Sequence, residues 1–134
     1  LDTAAVTREG EHVTILGWLL MHHFALAAAG TLAAEEVEAE VIDVRSLSPF
    51  DYDTIGRSVR KTGYVVIAEE GPRTGGVSAE LAAGITERFG EYLMAPVCRV
   101  ASPDIPVPFA PVLENAYRPD AQRIAAAVRQ LLQG

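Results

Sequence analysis

The side chains with the strongest claim to chemistry are two adjacent pairs, His22-His23 and Glu69-Glu70, the lone thiol Cys98, and the run Gly71-Pro-Arg-Thr-Gly-Gly-Val-Ser78. The glycine-rich run follows an apolar strand and opens a helical pattern, which is the setting of a phosphate-binding loop. Such a loop needs lysine directly before its hydroxyl residue to neutralise the terminal phosphates, and that position is Val77. The run therefore reads as a turn whose glycines let the backbone approach another element. Neighbours on a helix point about 100° apart, so His22 and His23 do not converge on one metal ion, and each reads as a surface residue or one tucked under a loop. His12, at a strand start, has no stronger claim. Glu69 and Glu70 close a strand, where alternation sends them to opposite faces and rules out a carboxylate dyad sharing one proton. Each reads as an exposed or a capping group. Cys98 lies in an apolar strand, a setting that disfavours thiolate chemistry. The chain contains no Gly-x-Ser-x-Gly, no His-Glu-x-x-His and no Gly-x-Gly-x-x-Gly. No catalytic, cofactor-binding or metal-ligating residue is assigned on these grounds. A second reading stays open, in which a small ligand occupies the crevice at the strand ends near Arg45, Ser46, Glu69 and Thr74.

These residues must be positioned by a single core. The chain has 134 residues, 49% hydrophobic and 22% charged, in the range of one globular domain. A net charge of -7 with no basic stripe repels nucleic acid phosphates and suits a basic protein partner better. The longest apolar run, Val13 to Ala29, is interrupted by the histidine pair and lacks the flanks of a signal peptide, so a cytoplasmic protein with no membrane span is expected. One cysteine excludes an internal disulfide.

Residues 1–11 are polar without an apolar period and read as a linker end or frayed terminus, in keeping with the missing initiator methionine. His12 to Trp18 is β-branched and reads as a buried strand, after which Leu20, Phe24, Ala28 and Leu32 recur at helical spacing. Ala39 to Val44 gives a second strand, Ser48-Pro49 breaks it, and Asp51 caps a helix carrying Ile55 and Val59 and ending at Gly63. Tyr64 to Ala68 is a continuous apolar run of the kind buried on both faces of a parallel sheet. Val77 to Phe89 is helical, Pro96 to Ala101 is a fourth strand, and Ser102 to Pro111 is a proline-rich loop. Asp120 caps a terminal amphipathic helix through Ile124, Val128, Leu131 and Leu132. Strands alternating with helices imply an α/β fold, a three-layer α/β/α sandwich with right-handed crossovers. Periodicity alone supports four strands.

Three segments carry a family resemblance: Glu38-Ala-Glu-Val-Ile-Asp-Val-Arg-Ser-Leu-Ser-Pro-Phe-Asp51, Ser58-Val-Arg-Lys-Thr-Gly63 and Ala95-Pro-Val-Cys-Arg-Val100. They resemble the C-terminal domain of the transketolase family, in the form found in the beta subunit of the thiamine-diphosphate-dependent 2-oxo acid dehydrogenases, pyruvate and branched-chain. Transketolase itself and deoxyxylulose phosphate synthase fit these segments less well. The resemblance covers the chain from about Val6 onward and places the domain at residues 12–134. It implies a five-stranded, mostly parallel mixed sheet with one antiparallel strand. It also implies a structural, partner-binding role: pairing with another beta subunit and with the alpha subunit in an α2β2 heterotetramer, and docking onto the subunit-binding domain of the acyltransferase core. The parent's oxidative decarboxylation, thiamine diphosphate and magnesium are implied to sit on other parts, in the cytoplasm or, in a eukaryote, the mitochondrial matrix. The Gly-Asp-Gly and Asn-Asn signature of that cofactor is absent from this chain, which is expected to bind none and to be inactive alone. The implied interface residues are Arg73, Thr74, Gly75 and Gly76 of the Glu70-x-x-x-Thr-Gly-Gly pattern, with Glu91, Met94 and the terminal Gly134. Two positions depart from the family. Met94 stands where an acidic residue often precedes Ala-Pro, and Glu36 stands where glycine commonly ends a helix in the left-handed conformation.

Overall fold

The computed structural model describes residues 3–72, 76–102 and 119–134. At its centre lies β2 (Val13–Gly17), all five residues of which are buried. Val, Thr and Ile populate the extended region readily and pack on a pleated surface, so this run forms a strand wherever both its faces can be covered. Beside it run β3 (Ala39–Asp43) on one side and β4 (Val65–Pro72) on the other, both parallel to β2, and β5 (Cys98–Ser102) continues parallel to β4. The remaining strand, β1 (Ala5–Arg8), pairs antiparallel with β3 and gives the order β1-β3-β2-β4-β5. The five strands and the single reversed one are as the family resemblance implied.

Alternation along the strands divides the core in two. Val13 and Ile15 of β2, with Val41 and Val66, face α1 (Leu20–Ala33) and the last described helix, Ala121–Gln133. Leu16, Ile42, Val65 and Ile67 face α2 (Tyr52–Thr62) and α3 (Val77–Phe89), which contribute Ile55, Val59, Leu81 and Ile85. The terminal helix is α4 among those described. Each buried Leu, Ile or Val contributes roughly 1.5–3 kcal/mol relative to exposure, so the two cores are the main favourable term of the fold.

Local signals set the helix ends. Asp51 accepts from the Thr54 amide at 3.1 Å and holds the N-terminus of α2, and Asp120 does the same for α4 from the Arg123 amide at 2.9 Å. Gly63 ends α2 at φ 74°, a left-handed position that costs glycine nothing. Glu36, after α1, adopts φ 65° without that advantage, at about 1 kcal/mol. Gly56 lets the Phe89 ring lie against the backbone of α2, where a Cβ would collide with it.

Buried polar groups between the layers are paired. Thr14 points toward α2, where its hydroxyl lies 2.6 Å from that of Ser58 and 2.7 Å from that of Thr62. Glu40, on the same face, accepts from Lys61 Nζ at 2.5 Å and from the Gly10 amide at 3.1 Å. Burial opposes ionisation of Glu40, but the bonds from Lys61, Gly10 and Ser58 and the Lys61 charge outweigh it and hold the carboxyl below its usual range.

Four details differ from the sequence expectation. Residues 1–11 are not simply a linker end, because Ala5–Arg8 form the edge strand and the Ala4 amide donates to Asp51 at 2.9 Å. An edge strand with Val6 and Thr7 exposed shows no buried period, and this one is only four residues long. Strand β4 runs to Pro72 rather than stopping at Ala68, extended by pairing to Ser102. Strand β5 starts at Cys98 rather than Pro96, as proline donates no ladder bond. The buried face of α1 is Met21, Ala25, Ala28, Ala29 and Leu32, turned from the expected stripe so that Leu20 and Phe24 lie at its margin. Ser102 belongs to β5, and the rest of the proline-rich loop lies outside the described residues.

Candidate functional site: a strand-end crevice and an apolar groove

Parallel pairing sets Gly17 of β2 directly beside Asp43 of β3, so the segments leaving these strands start as neighbours at the carboxyl edge of the sheet. The first runs through Trp18 and Leu19 into α1, and the second through Val44 into Arg45, with the Val44 amide donating to the Gly17 carbonyl at 3.0 Å. Both turns use a non-glycine residue at positive φ: Leu19 at 57° and Arg45 at 62°. Between them opens a crevice of about 760 Å³ lined by Trp18, Leu19, His22, His23, Asp43, Arg45 and Leu47.

Its polar floor is built from β1, β3, the segment that follows β3 and helix α1. His22 is 9% exposed, with Nε2 2.8 Å from the Thr7 hydroxyl of β1. The Thr7 hydroxyl also lies 3.3 Å from the Val41 carbonyl. The other ring nitrogen lies 4.0 Å from Asp43 Oδ2, and Arg45 Nε lies 3.4 Å from the same oxygen. Burial lowers the His22 pKa, the Asp43 charge opposes that, and His23 and Arg45 add to the lowering.

The predicted ligand residues are only partly brought together. Arg45 lines the crevice, whereas the Ser46 hydroxyl donates to the Pro49 carbonyl at 2.9 Å. Glu69 serves elsewhere: its carboxylate accepts from the Val77 amide at 2.9 Å and the Ser78 amide at 2.7 Å. The N-terminus of α3 is thereby filled by the protein's own anion, the place a phosphate-binding loop would keep open. Glu70, its neighbour, is exposed, and Thr74 lies outside the described residues. Trp18, Leu19 and Asp43 were missed in the sequence, although a bulky pair directly after a strand-ending glycine was a readable signal.

The predicted interface residues divide as well. Arg73, Thr74 and Gly75 lie outside the described residues, and Gly76 is the extended N-cap of α3. Glu91 is exposed on the short 3-10 turn Gly90–Tyr92, and Met94, 70% exposed, follows it with its amide bonded to the Gly63 carbonyl at 2.8 Å. Met94 borders a groove of about 800 Å³ whose walls are Ala82, Ala83 and Thr86 of α3 and the segment Leu93 to Val97. Gly134 ends α4 in the opposite helical layer and does not share that groove.

The family model described as "Transketolase, C-terminal domain" matches residues 2–124. The chain is 46% identical over 133 residues to the pyruvate dehydrogenase E1 component subunit beta-3, chloroplastic, of Oryza sativa subsp. japonica, covering 99% of this chain and 34% of that protein. It is 41% identical over 131 residues to the acetoin:2,6-dichlorophenolindophenol oxidoreductase subunit beta of Cupriavidus necator, covering 98% of this chain and 39% of that one. It thus spans about a third of the length of the curated relatives it matches. A solved structure described as "Split gene transketolase, inactive beta4 tetramer" superposes with a TM-score of 0.85 at 35% identity, over 98% of this chain and 42% of that one. With its five-stranded mixed sheet between two helical layers, the chain belongs to the transketolase C-terminal domain family.

Proposed function

We propose that this chain serves as the C-terminal assembly domain of the beta subunit of a 2-oxo acid dehydrogenase decarboxylase component. The observation that carries this reading is the 46% identity to a pyruvate dehydrogenase beta subunit across 99% of the chain. In this reading the parent protein decarboxylates a 2-oxo acid oxidatively with thiamine diphosphate and magnesium, which are held by parts outside these residues. The domain pairs beta subunits, supports the alpha subunit in an α2β2 heterotetramer, and presents a surface to the subunit-binding domain of the acyltransferase core. The groove beside α3 supports that role, since Met94 and Tyr92, 70% and 42% exposed, put apolar surface next to Glu91 in an acidic chain. Arg73, Thr74, Gly75 and Gly76 are proposed, from the family pattern, to take part in a subunit contact. Met94 in place of an acidic residue makes the contact apolar where the family pattern makes it ionic.

The parent acts in the cytoplasm, or in an organelle interior in a eukaryote; the rice relative is named as chloroplastic. Among the described residues no helix is long and apolar enough to cross a membrane.

The test is sedimentation velocity of the full-length beta subunit mixed with its alpha subunit. The wild-type mixture is expected to form the heterotetramer and bind the acyltransferase subunit-binding domain. A Met94→Lys variant, its side chain being 70% exposed, is expected to lose one of these associations while its circular dichroism is unchanged. Decarboxylation of a 2-oxo acid by the purified 134-residue chain, given thiamine diphosphate and magnesium, would overturn the reading.

A further inference from the structure

We propose that the crevice at the carboxyl ends of β2 and β3 is a binding site for a small organic oxyanion, a carboxylate or phosphate carried on an apolar body. This goes beyond the assembly reading and rests on different residues. The crevice volume of about 760 Å³ accommodates a metabolite-sized molecule. It lies outside the carboxyl ends of parallel strands, where open α/β sheets place their ligands.

The lining divides into two halves of different chemistry. Trp18, Leu19 and Leu47 supply the apolar surface, with Leu19 80% exposed. Arg45 and His23 supply donors. Arg45 bonds to Asp43 through Nε at 3.4 Å, and its two terminal nitrogens meet no acceptor among the described residues. That planar fork matches the two oxygens of a carboxylate or phosphate better than any other side chain does. Asp43 is the one acidic group in the lining, and its oxygen competes with an arriving anion for the guanidinium.

The backbone supplies an independent argument. Leu19 (φ 57°, ψ -129°) and Arg45 (φ 62°) both occupy conformations that non-glycine residues rarely adopt, and both face the same crevice. Such conformations cluster at ligand sites, where they hold a side chain in place for binding. Here one of them turns Leu19 outward over the opening and the other presents Arg45.

The chain carries its own reporter, because Trp18 is its one tryptophan. The 134-residue chain, which includes both closed cores, is titrated with benzoate, phenyl phosphate and inorganic phosphate. Trp18 emission and backbone amide shifts are followed together. Saturable binding of benzoate or phenyl phosphate, with amide shifts confined to residues 17–23 and 43–47, is expected, and the tighter of the two names the anion. Inorganic phosphate, having no body to lie on Trp18, is expected to bind roughly tenfold more weakly or worse. Arg45→Gln should weaken the aromatic anions roughly tenfold or more. Asp43→Asn should tighten them, a gain that a damaged fold does not produce. A linear response without saturation, equal affinity for inorganic phosphate, unchanged binding by Arg45→Gln, or weaker binding by Asp43→Asn would each overturn the proposal.

Discussion

Helices α1 and α3 both begin at the carboxyl edge of the same sheet, one following β2 and the other β4, yet their N-termini are treated in opposite ways. The first amides of α3 are taken by the Glu69 carboxylate, sent up from the strand below at 2.7 and 2.9 Å. Helix α1 starts at Leu19 with no side-chain cap and no acidic residue in its first turn, and opens onto the crevice. A strand–turn–helix unit of this kind always creates a positive end at the strand edge. The comparison teaches that the fold supplies the place, and that one side chain in the preceding strand decides whether the place is closed by the protein or left to something else. At β4 that side chain is Glu69. The equivalent stretch of β2 ends in Gly17, which has none.

The largest expected effect is on the closed end. Glu69→Ala leaves the Val77 and Ser78 amides without their acceptor and should cost about 2–4 kcal/mol in a urea denaturation experiment. Glu69→Gln, keeping one good acceptor oxygen, should recover about half of that. A loss below about 1 kcal/mol for Glu69→Ala would mean that water caps α3 equally well and that the two ends do not differ in kind.

Acid should weaken the layer that contains the closed end. Glu40 and Asp51 both lie at α2 and both are held below their ordinary carboxyl values. For Asp51 the leading cause is the hydrogen bond from the Thr54 side chain, partly offset by burial and joined by the Thr54 and Ala4 amides and the Arg57 charge. A carboxyl depressed in the folded state binds fewer protons there than in the unfolded chain. Its contribution is therefore present above the unfolded values, 4.5 for Glu40 and 3.8 for Asp51, and is lost as pH falls through the folded ones. The denaturation midpoint should drop on acidification through that window, and Glu40→Gln should flatten the slope.

Smaller effects sharpen the open end. Leu19→Gly removes a strained φ and should stabilise the chain by about 0.5–1.5 kcal/mol after the extra chain entropy of glycine is subtracted. If Leu19 is held outward for binding, that variant gains stability while losing affinity for the crevice ligand. Glu36→Gly, at the other end of α1, should gain only about 0.5 kcal/mol with binding unchanged, because its left-handed position is the milder strain. Thermal unfolding of the two variants side by side separates strain kept for a site from strain that is merely tolerated.

Much of the fold was legible because its signals are local. Val65 to Ala68 is apolar on both faces and Val13 to Gly17 is so apart from Thr14, which only a covered central strand permits. Asp51, Gly63 and Asp120 mark helix ends through bonds spanning three or four residues. The edge strand Ala5–Arg8 was not legible from periodicity, since four residues with an exposed face carry too little pattern. The site was legible only in pieces. Arg45 and the histidine pair were visible as chemistry-bearing residues, but nothing in their spacing showed that Arg45 would share a crevice with Trp18 or that Glu69 would turn away to α3.

The sequence by itself determined the alternation of strands and helices, the caps that bound them and the family to which they belong, because those properties depend on neighbours within one turn or one pleat. Only the tertiary structure decided that Gly17 lies against Asp43, that Glu69 closes one helix end, and that Leu19 and Arg45 bend to face each other's crevice. Those outcomes follow from strand register and from the way the loops fold over the sheet edge, linking residues eight and nine positions apart at Glu69 and twenty-six apart at Gly17 and Asp43. A choice of register moves every such contact at once and leaves almost no trace in any single stretch of sequence.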